Sequence, residues 1–292
     1  MRRAAVLAVL VLGLSVALPA APAADRHFLW RVDNGAGPPT FLLGSLHVLT
    51  SAHYPLAEPI EAAFAASTVL IEEVDLEELS DPAGAMALVS RAMLPGAQTL
   101  DQVVSPSTYA EVTRRAEAAG LPLVAIRRMK PWMAAVTLTA PALARAGYDP
   151  EHGVDRYFFD KAKAAGRERR ALETVAYQLE RFDALPPAEQ EAMLTATLED
   201  LDAEMANVDR MAAAWAAGDT AAIEDLLLGS FRDSPALYRR LVVERNQNWV
   251  APVERCLREK TACFVVVGAA HLVGPDSLPA LLAARGHVVT QQ

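Results

Sequence analysis

The chain has 292 residues, 52% of them hydrophobic, and carries 36 acidic against 27 basic side chains for a net charge of −9. That is ample apolar material for a packed core and excludes a disordered chain. An acidic balance without a basic block also argues against nucleic acid as a partner.

In chain order, Met1-Arg2-Arg3 precedes an Ala/Val/Leu run from Ala4 to Leu18, followed by small residues around Ala21 and Ala23. This is the form of a secretory signal peptide over residues 1–23. It places residues 24–292, expected to form one α/β domain, in the periplasm. The apolar run is only about 15 residues long and no later stretch is apolar enough for a span, so no stable membrane span is expected after cleavage.

Residues 27–32 alternate as a short strand, 34–39 read as a Gly/Pro turn, and Thr40 to Leu43 as the partner strand of a hairpin. Gly44-Ser45-Leu46-His47 follows directly. A helix opens at Tyr54-Pro55-Leu56, with Leu56, Ile60, Ala63, Phe64 and Ser67 on one face. Val69 to Asp75 reads as an interior strand, with Glu73 and Asp75 on one side and Glu72 on the other. Its acids emerge at the carboxyl end, where α/β sheets place their chemistry.

From Pro82 to Ala119 the pattern is helical, with Ser105 as a cap and Pro106 in a first turn. Leu123 to Ile126 reads as a short strand. Trp132 to Ala146 reads as a helix packed through Met133, Val136, Thr137 and Ala140 and closed by Gly147. The loop Tyr148 to Asp155 crowds three acids around His152, and Arg170 to Thr174 reads as another strand. Residues 175–250 are polar, acidic helices, expected to form an inserted cap over a pocket at the sheet. The last section is a β-α-β unit: strand Cys263–Val267, loop Gly268–His271, helix Ser277–Ala284, strand His287–Thr290. Cys256 and Cys263 are the two cysteines. In an exported protein they suggest one disulfide, against the alternative of two buried thiols.

Two Gly-x-x-His phrases, Gly44 to His47 and Gly268 to His271, each close an apolar strand. Glycine lets the backbone turn there and brings the imidazole back over the sheet edge. The plain structural alternative is two histidines bonding loop carbonyls. His47, His271 and a carboxylate from Glu72 or Glu73 would hold a divalent ion, since neutral imidazole and carboxylate suit zinc or manganese. Without an ion the same groups would act as an acid/base pair, and spacing does not separate the two. His152, with Asp149, Glu151 and Asp155, either completes the site or caps the next helix. Arg245 and Asn246 would orient a substrate carbonyl or carboxylate, or lie on a solvated face, and Glu173 near Gln178 is a further candidate. H-E-x-x-H and G-x-S-x-G are absent.

The phrases FLLGSLHV at 41–48, YPL at 54–56, EVD at 73–75, KPW at 130–132, HGVD at 152–155, LET at 172–174, ERNQNW at 244–249 and VGAAHLVGPDSL at 267–278 resemble, in this order, the TraB/GumN family (TraB/PrgY/GumN), which is similar to the animal Tiki proteins. The resemblance implies a central mixed sheet with flanking helices, as in erythromycin-esterase-like and ChaN-like proteins, plus the helical insertion, and it singles out Glu73 as the family's glutamate. Because Tiki members act as metal-dependent proteases, it implies a metal-dependent, peptidase-like hydrolase. Glu73, His47, His271 and His152 are then the catalytic candidates, with His47, Glu73 and His271 as ligands of manganese, cobalt or zinc. Arg245, Asn246 and Glu173 would meet a peptide or small polar ligand. The alternative is a protein that binds or sequesters such a ligand without turning it over. Serine at 45, where threonine is frequent, and a second glutamate at 72 depart from the family pattern.

Overall fold

Six strands form one mixed sheet in the order β4-β3-β5-β2-β1-β6. They are β1 (Leu29–Asp33), β2 (Thr40–Ser45), β3 (Val69–Glu72), β4 (Glu168–Ala171), β5 (Cys263–Gly268) and β6 (Val288–Gln291). The computed structural model describes residues 26–292 apart from positions 34, 36, 200 and 233, so the signal peptide expected over 1–23 lies outside the described residues. β4, β3, β5 and β2 run parallel; β1 returns antiparallel in the hairpin, and β6 pairs antiparallel with β1. β6 therefore points the same way as β5 but lies three places away, so the last β-α-β unit crosses over β2 and β1. β3 and β5 are buried along almost their whole length, as strands covered on both faces must be.

The helices are α1 (Glu58–Ala65), α2 (Leu76–Ser80), α3 (Pro82–Ala92), α4 (Leu100–Val103), α5 (Pro106–Ala119), α6 (Leu123–Ile126), α7 (Pro131–Arg145), α8 (Val154–Ala164), α9 (Val175–Asp183), α10 (Pro187–Glu199), α11 (Leu201–Ala216), α12 (Thr220–Leu228), α13 (Pro235–Tyr238), α14 (Glu244–Glu259) and α15 (Leu278–Ala284). Ser105 caps α5 and Gly120 closes it in the left-handed conformation. Ile60, Ala63 and Phe64 of α1 are buried against the sheet, flanked by Leu56 and Ser67. A π turn, Arg239–Val243, joins α13 to α14, and Pro252 lies within the latter. The rod thus runs past Trp249 to a cystine, where Cys256 is bonded to Cys263 at the start of β5.

Two expectations fail for physical reasons. Leu123–Ile126 is a helical turn, not a strand: Arg127 N–H bonds Leu123 O at 2.9 Å, and only Ile126 of the four is buried. A four-residue apolar run carries no period of its own, and Pro122 leads it into a turn. On α7 the packed face is Trp132, Ala134, Ala135, Leu138 and Ala142, while Val136 is 59% exposed. The helix is so rich in alanine that the inward face is set by what it meets, not by a hydrophobic stripe.

What it meets is a second core. Leu94, Leu100, Val112, Ile126, Ala134 and Leu138 pack with Leu194 and Leu198 of α10, apart from the core around the sheet. The helical mass beyond the sheet therefore draws on residues 94–138 as well as on 175–250. Trp215 of α11 donates Nε1–H to the carbonyl of Gly44 at 2.6 Å, anchoring the helices to the end of β2. No helix of the described residues is long and apolar enough to cross a membrane.

Gly44 is required for space. A Cβ there would overlap the ring of Phe28, which is fully buried. Gly44→Ala is expected to lower stability by about 1–3 kcal/mol through overpacking. The measurement is a lower urea midpoint at unchanged slope.

Candidate functional site

The parallel strands end at one edge of the sheet, with Ser45 opposite Gly268 and Glu72 opposite both Val266 and Ala171. Each strand releases a polar residue just beyond this edge: His47 after β2, Glu73 after β3, Glu173 after β4, and His271 in the 3-10 turn Ala269–Leu272 after β5. The ladder continues past β3 and β4, since Glu173 N–H bonds Glu73 O at 2.9 Å, so the two glutamates lie side by side.

Arg245, in the first turn of α14, joins them. Its Nη2 donates to Glu73 Oε2 at 2.5 Å and Glu173 Oε1 at 2.8 Å, and its Nε donates to Glu173 at 3.0 and 3.2 Å. Its Nη1 donates to Leu241 O and to His271 Nε2, both at 3.1 Å. All five N–H donors of the guanidinium are thereby used. Trp249 adds an indole N–H to Glu173 at 3.1 Å, and Gln178 an amide N–H to Glu73 at 2.8 Å. Burial works to raise the Glu73 carboxyl, but Arg245, the protonated His47 and the Gly268 N–H at 2.6 Å outweigh it and hold the group down, to about 2. At Glu173 burial wins over Arg245 and the carboxyl is pushed up.

The two histidines are held in opposite states. Because arginine only donates, His271 Nε2 carries a lone pair and Nδ1 carries the proton, which goes to Asn246 Oδ1 at 2.7 Å. Asn246 is fixed in turn by donating to Asp276 O at 2.8 Å and His271 O at 3.3 Å. Burial, against the attraction of Glu73, lowers His271 to about 3 and keeps it neutral. His47 Nδ1 instead faces Asp155 Oδ2 at 3.3 Å, and Asp155 Oδ1 accepts from Ser45 Oγ at 3.0 Å. The charge of Asp155 raises His47 to about 9, and the side chain, 65% exposed, lines the pocket. The Gly153–Asp155 segment is seated closely: Val154 N–H bonds Leu46 O at 3.0 Å, and a Cβ on Gly153 would lie 2.5 Å from His47 O.

These groups converge on Gly268. A Cβ placed there would lie 3.2 Å from Glu73 Oε1, 3.6 Å from His271 Cδ2 and 3.9 Å from His47 Nε2. Two cavities open from this point and share Ser45, His47, Glu73, Gln178 and Gly268. One, of about 340 Å³, runs along Glu72, Leu76, Leu79, Glu151 and Asp155. The other, of about 500 Å³, lies under α9, α11 and α12 and is lined by Phe182, Met211, Leu227 and Phe231.

His47, Glu73, His271, Glu173, Arg245 and Asn246 are thus brought together, but Arg245 and Asn246 are buried and spend their polar atoms on the protein. They hold the cluster instead of offering free donors to a substrate. His152 stands apart: its carbonyl accepts from Tyr54 Oη at 2.7 Å, its ring lies 6.3 Å from the Tyr54 ring, and it borders a separate cavity with Val48, Tyr148 and Asp149. Asp149 caps the short turn Pro150–His152, whereas Asp155, a helix-start acid, is the partner of His47. Ser45 and Gln178, which the sequence offers only as a motif residue and as a neighbour of Glu173, belong to the site through their bonds to Asp155 and Glu73.

Among the described residues no group of three His, Cys, Asp or Glu side chains is set to hold a metal ion. The donor chemistry explains this. The Nε2 lone pair of His271 and Oε2 of Glu73 are both engaged by a buried cation, Arg245. As arranged, His47, Glu73 and His271 do not fit a three-ligand metal centre.

Fold and site together define an α/β protein with a histidine–carboxylate centre at the carboxyl edge of its parallel strands. The TraB/PrgY/gumN family model matches residues 28–291, nearly the whole chain, and the chain belongs to that family. Neither a curated protein nor a solved structure matches it.

Arg245→Met would leave two buried carboxylates without their cation, and a loss of about 3–5 kcal/mol in unfolding free energy is expected from denaturant titration. Asp155→Asn removes the charge that raises His47. NMR titration of the His47 ring is expected to show its pKa moving down from about 9 toward the ordinary histidine range.

Proposed function

We propose that the chain is an exported hydrolase acting on a peptide or related amide. The observation that carries this is the convergence of His47 Nε2, Glu73 Oε1 and His271 around Gly268, at the meeting of two cavities. The signal-like leader and the cystine support a working place outside the inner membrane, in the periplasm.

A ligand carbonyl lying over Gly268 would meet a proton donor and a carboxylate together. His47, kept protonated by Asp155, donates from Nε2 as negative charge grows on the carbonyl oxygen and then gives the proton to the departing amine. Glu73 Oε1 orients the attacking water and takes its proton only as the new O–C bond forms, because a carboxyl held at about 2 is too weak a base to ionise the water beforehand. Neutral His271, Asn246, Arg245, Glu173 and Gln178 act as positioning residues that fix Glu73. These roles need no manganese, cobalt or zinc: Arg245 engages His271 Nε2 and Glu73 Oε2, and His47 is kept protonated by Asp155, so none of the three expected ligands offers a free set of donors.

The test is incubation of the chain beginning at Ala24 with a peptide mixture, in chelator and with each metal added, read by mass spectrometry. Cleavage is expected in chelator and is expected to fall by about 10²-fold or more in His47→Ala and Glu73→Gln. The rate kcat/KM is expected to decline as pH rises through about 9, where His47 gives up its proton. Products that appear only with added metal would overturn the metal-free chemistry. Peptide binding without product under any condition would leave a binding or sequestering protein.

A further inference from the structure

The two cavities differ in chemistry, and the difference specifies a ligand. In the smaller one Glu72, the last residue of β3, is 5% exposed, and its Oε1 has no hydrogen-bond partner. Buried polar atoms in native proteins almost always have partners, and an orphan points to a group supplied from outside. The other acids of this cavity are already answered: Glu73 by Arg245 at 2.5 Å, Asp155 by His47 at 3.3 Å, and Glu151 by Arg156 at 3.4 Å. Arg156 is itself held by Asp160 at 2.8 Å and Arg169 by Glu77 at 2.5 Å, so burial and the nearby Asp155 outweigh Arg169 and push the Glu72 carboxyl up to about 9, a group that an incoming cation would ionise. Val74, Leu76 and Leu79 form the apolar wall beside Glu72.

We propose that this cavity takes a lysine-like side chain of the ligand, with its methylene stem along Val74, Leu76 and Leu79 and its ammonium against Glu72, while a large apolar side chain of the same ligand enters the cavity under α9, α11 and α12. Long cationic side chains bury the stem and keep the head on an acceptor, which is the pattern of this wall and this carboxyl. The described lining of the larger cavity, with Phe182, Met211 and Leu227, carries no such acceptor beyond the shared centre and suits an aromatic or aliphatic group. The inference rests on the reading that a ligand carbonyl lies at Gly268 between the two.

The experiment compares two fluorescent peptides that carry the same leucine-rich flank and differ at one position, lysine or norleucine. Affinity for the chain beginning at Ala24 is read by anisotropy, with peptide integrity followed by mass spectrometry, so that binding is measured whether or not cleavage occurs. Lysine is expected to bind about tenfold or more tightly than norleucine, the scale of one charge-assisted hydrogen bond. In Glu72→Gln, an isosteric change, the ratio is expected to fall to within about twofold. Leu79→Lys, on the half-buried wall, is expected to remove the preference independently by repulsion. Equal binding of the two peptides, or a preference that survives both variants, overturns the proposal. Lysine preference without product would overturn hydrolysis alone, and product without lysine preference would overturn this inference alone.

Discussion

One guanidinium holds the centre of this protein. Arg245 lies between two glutamates that the strand ladder forces side by side, and two carboxylates so close could not both remain charged without it. Its remaining donors set the tautomer of His271 and tie the π turn through Leu241. The ionised state of Glu73, the tautomer of His271 and the place of α14 over the strand ends are consequences of the same ion. A buried pair of this kind is costly to assemble and costlier to break, so its return is a unique arrangement more than net stability.

The opposite polarity at His47 shows how local chemistry separates two similar phrases. Both histidines follow Gly-x-x after a buried strand. Only one meets a carboxylate with room for solvent, and only the other is shut between Asn246, Arg245 and Trp249. One ring is therefore kept as a proton donor and the other as a fixed acceptor, although nothing within the motif itself distinguishes them.

Much of this was legible in the sequence because it rests on patterns of short range. The buried strands 40–45, 69–72 and 263–268, the cap at Ser105 and the glycine turns are written in apolar runs and turn residues, and the meeting of the two Gly-x-x-His phrases follows from strand ends in an α/β sheet. The roles of Arg245 and Asn246 were not legible, because an arginine on a polar helix has the same local pattern whether it faces water or two glutamates. Asp155 was ambiguous for a related reason: an acid in a first helical turn satisfies the helix whatever else it touches. His152 misled by composition, since Glu151 and Asp155 line the smaller cavity while His152 itself borders a separate one with Asp149. The packed face of α7 and the turn at 123–126 depended on a second core assembled from segments sixty residues apart.

Helix α14 and strand β5 also form a closed frame. The cystine joins the last turn of the helix to the first residue of the strand, and at the other end Asn246 and Arg245 grip His271 just past the strand. From Asn246 to Cys256 the helix rises about 15 Å, and from Cys263 to Gly268 the strand advances about 17 Å. The two lengths match, so a covalent bond far from the site measures off where the guanidinium falls. A slip of one residue along the helix would turn Arg245 by about 100° and away from the glutamates. The frame acts as a gauge that leaves the helix one register on the sheet.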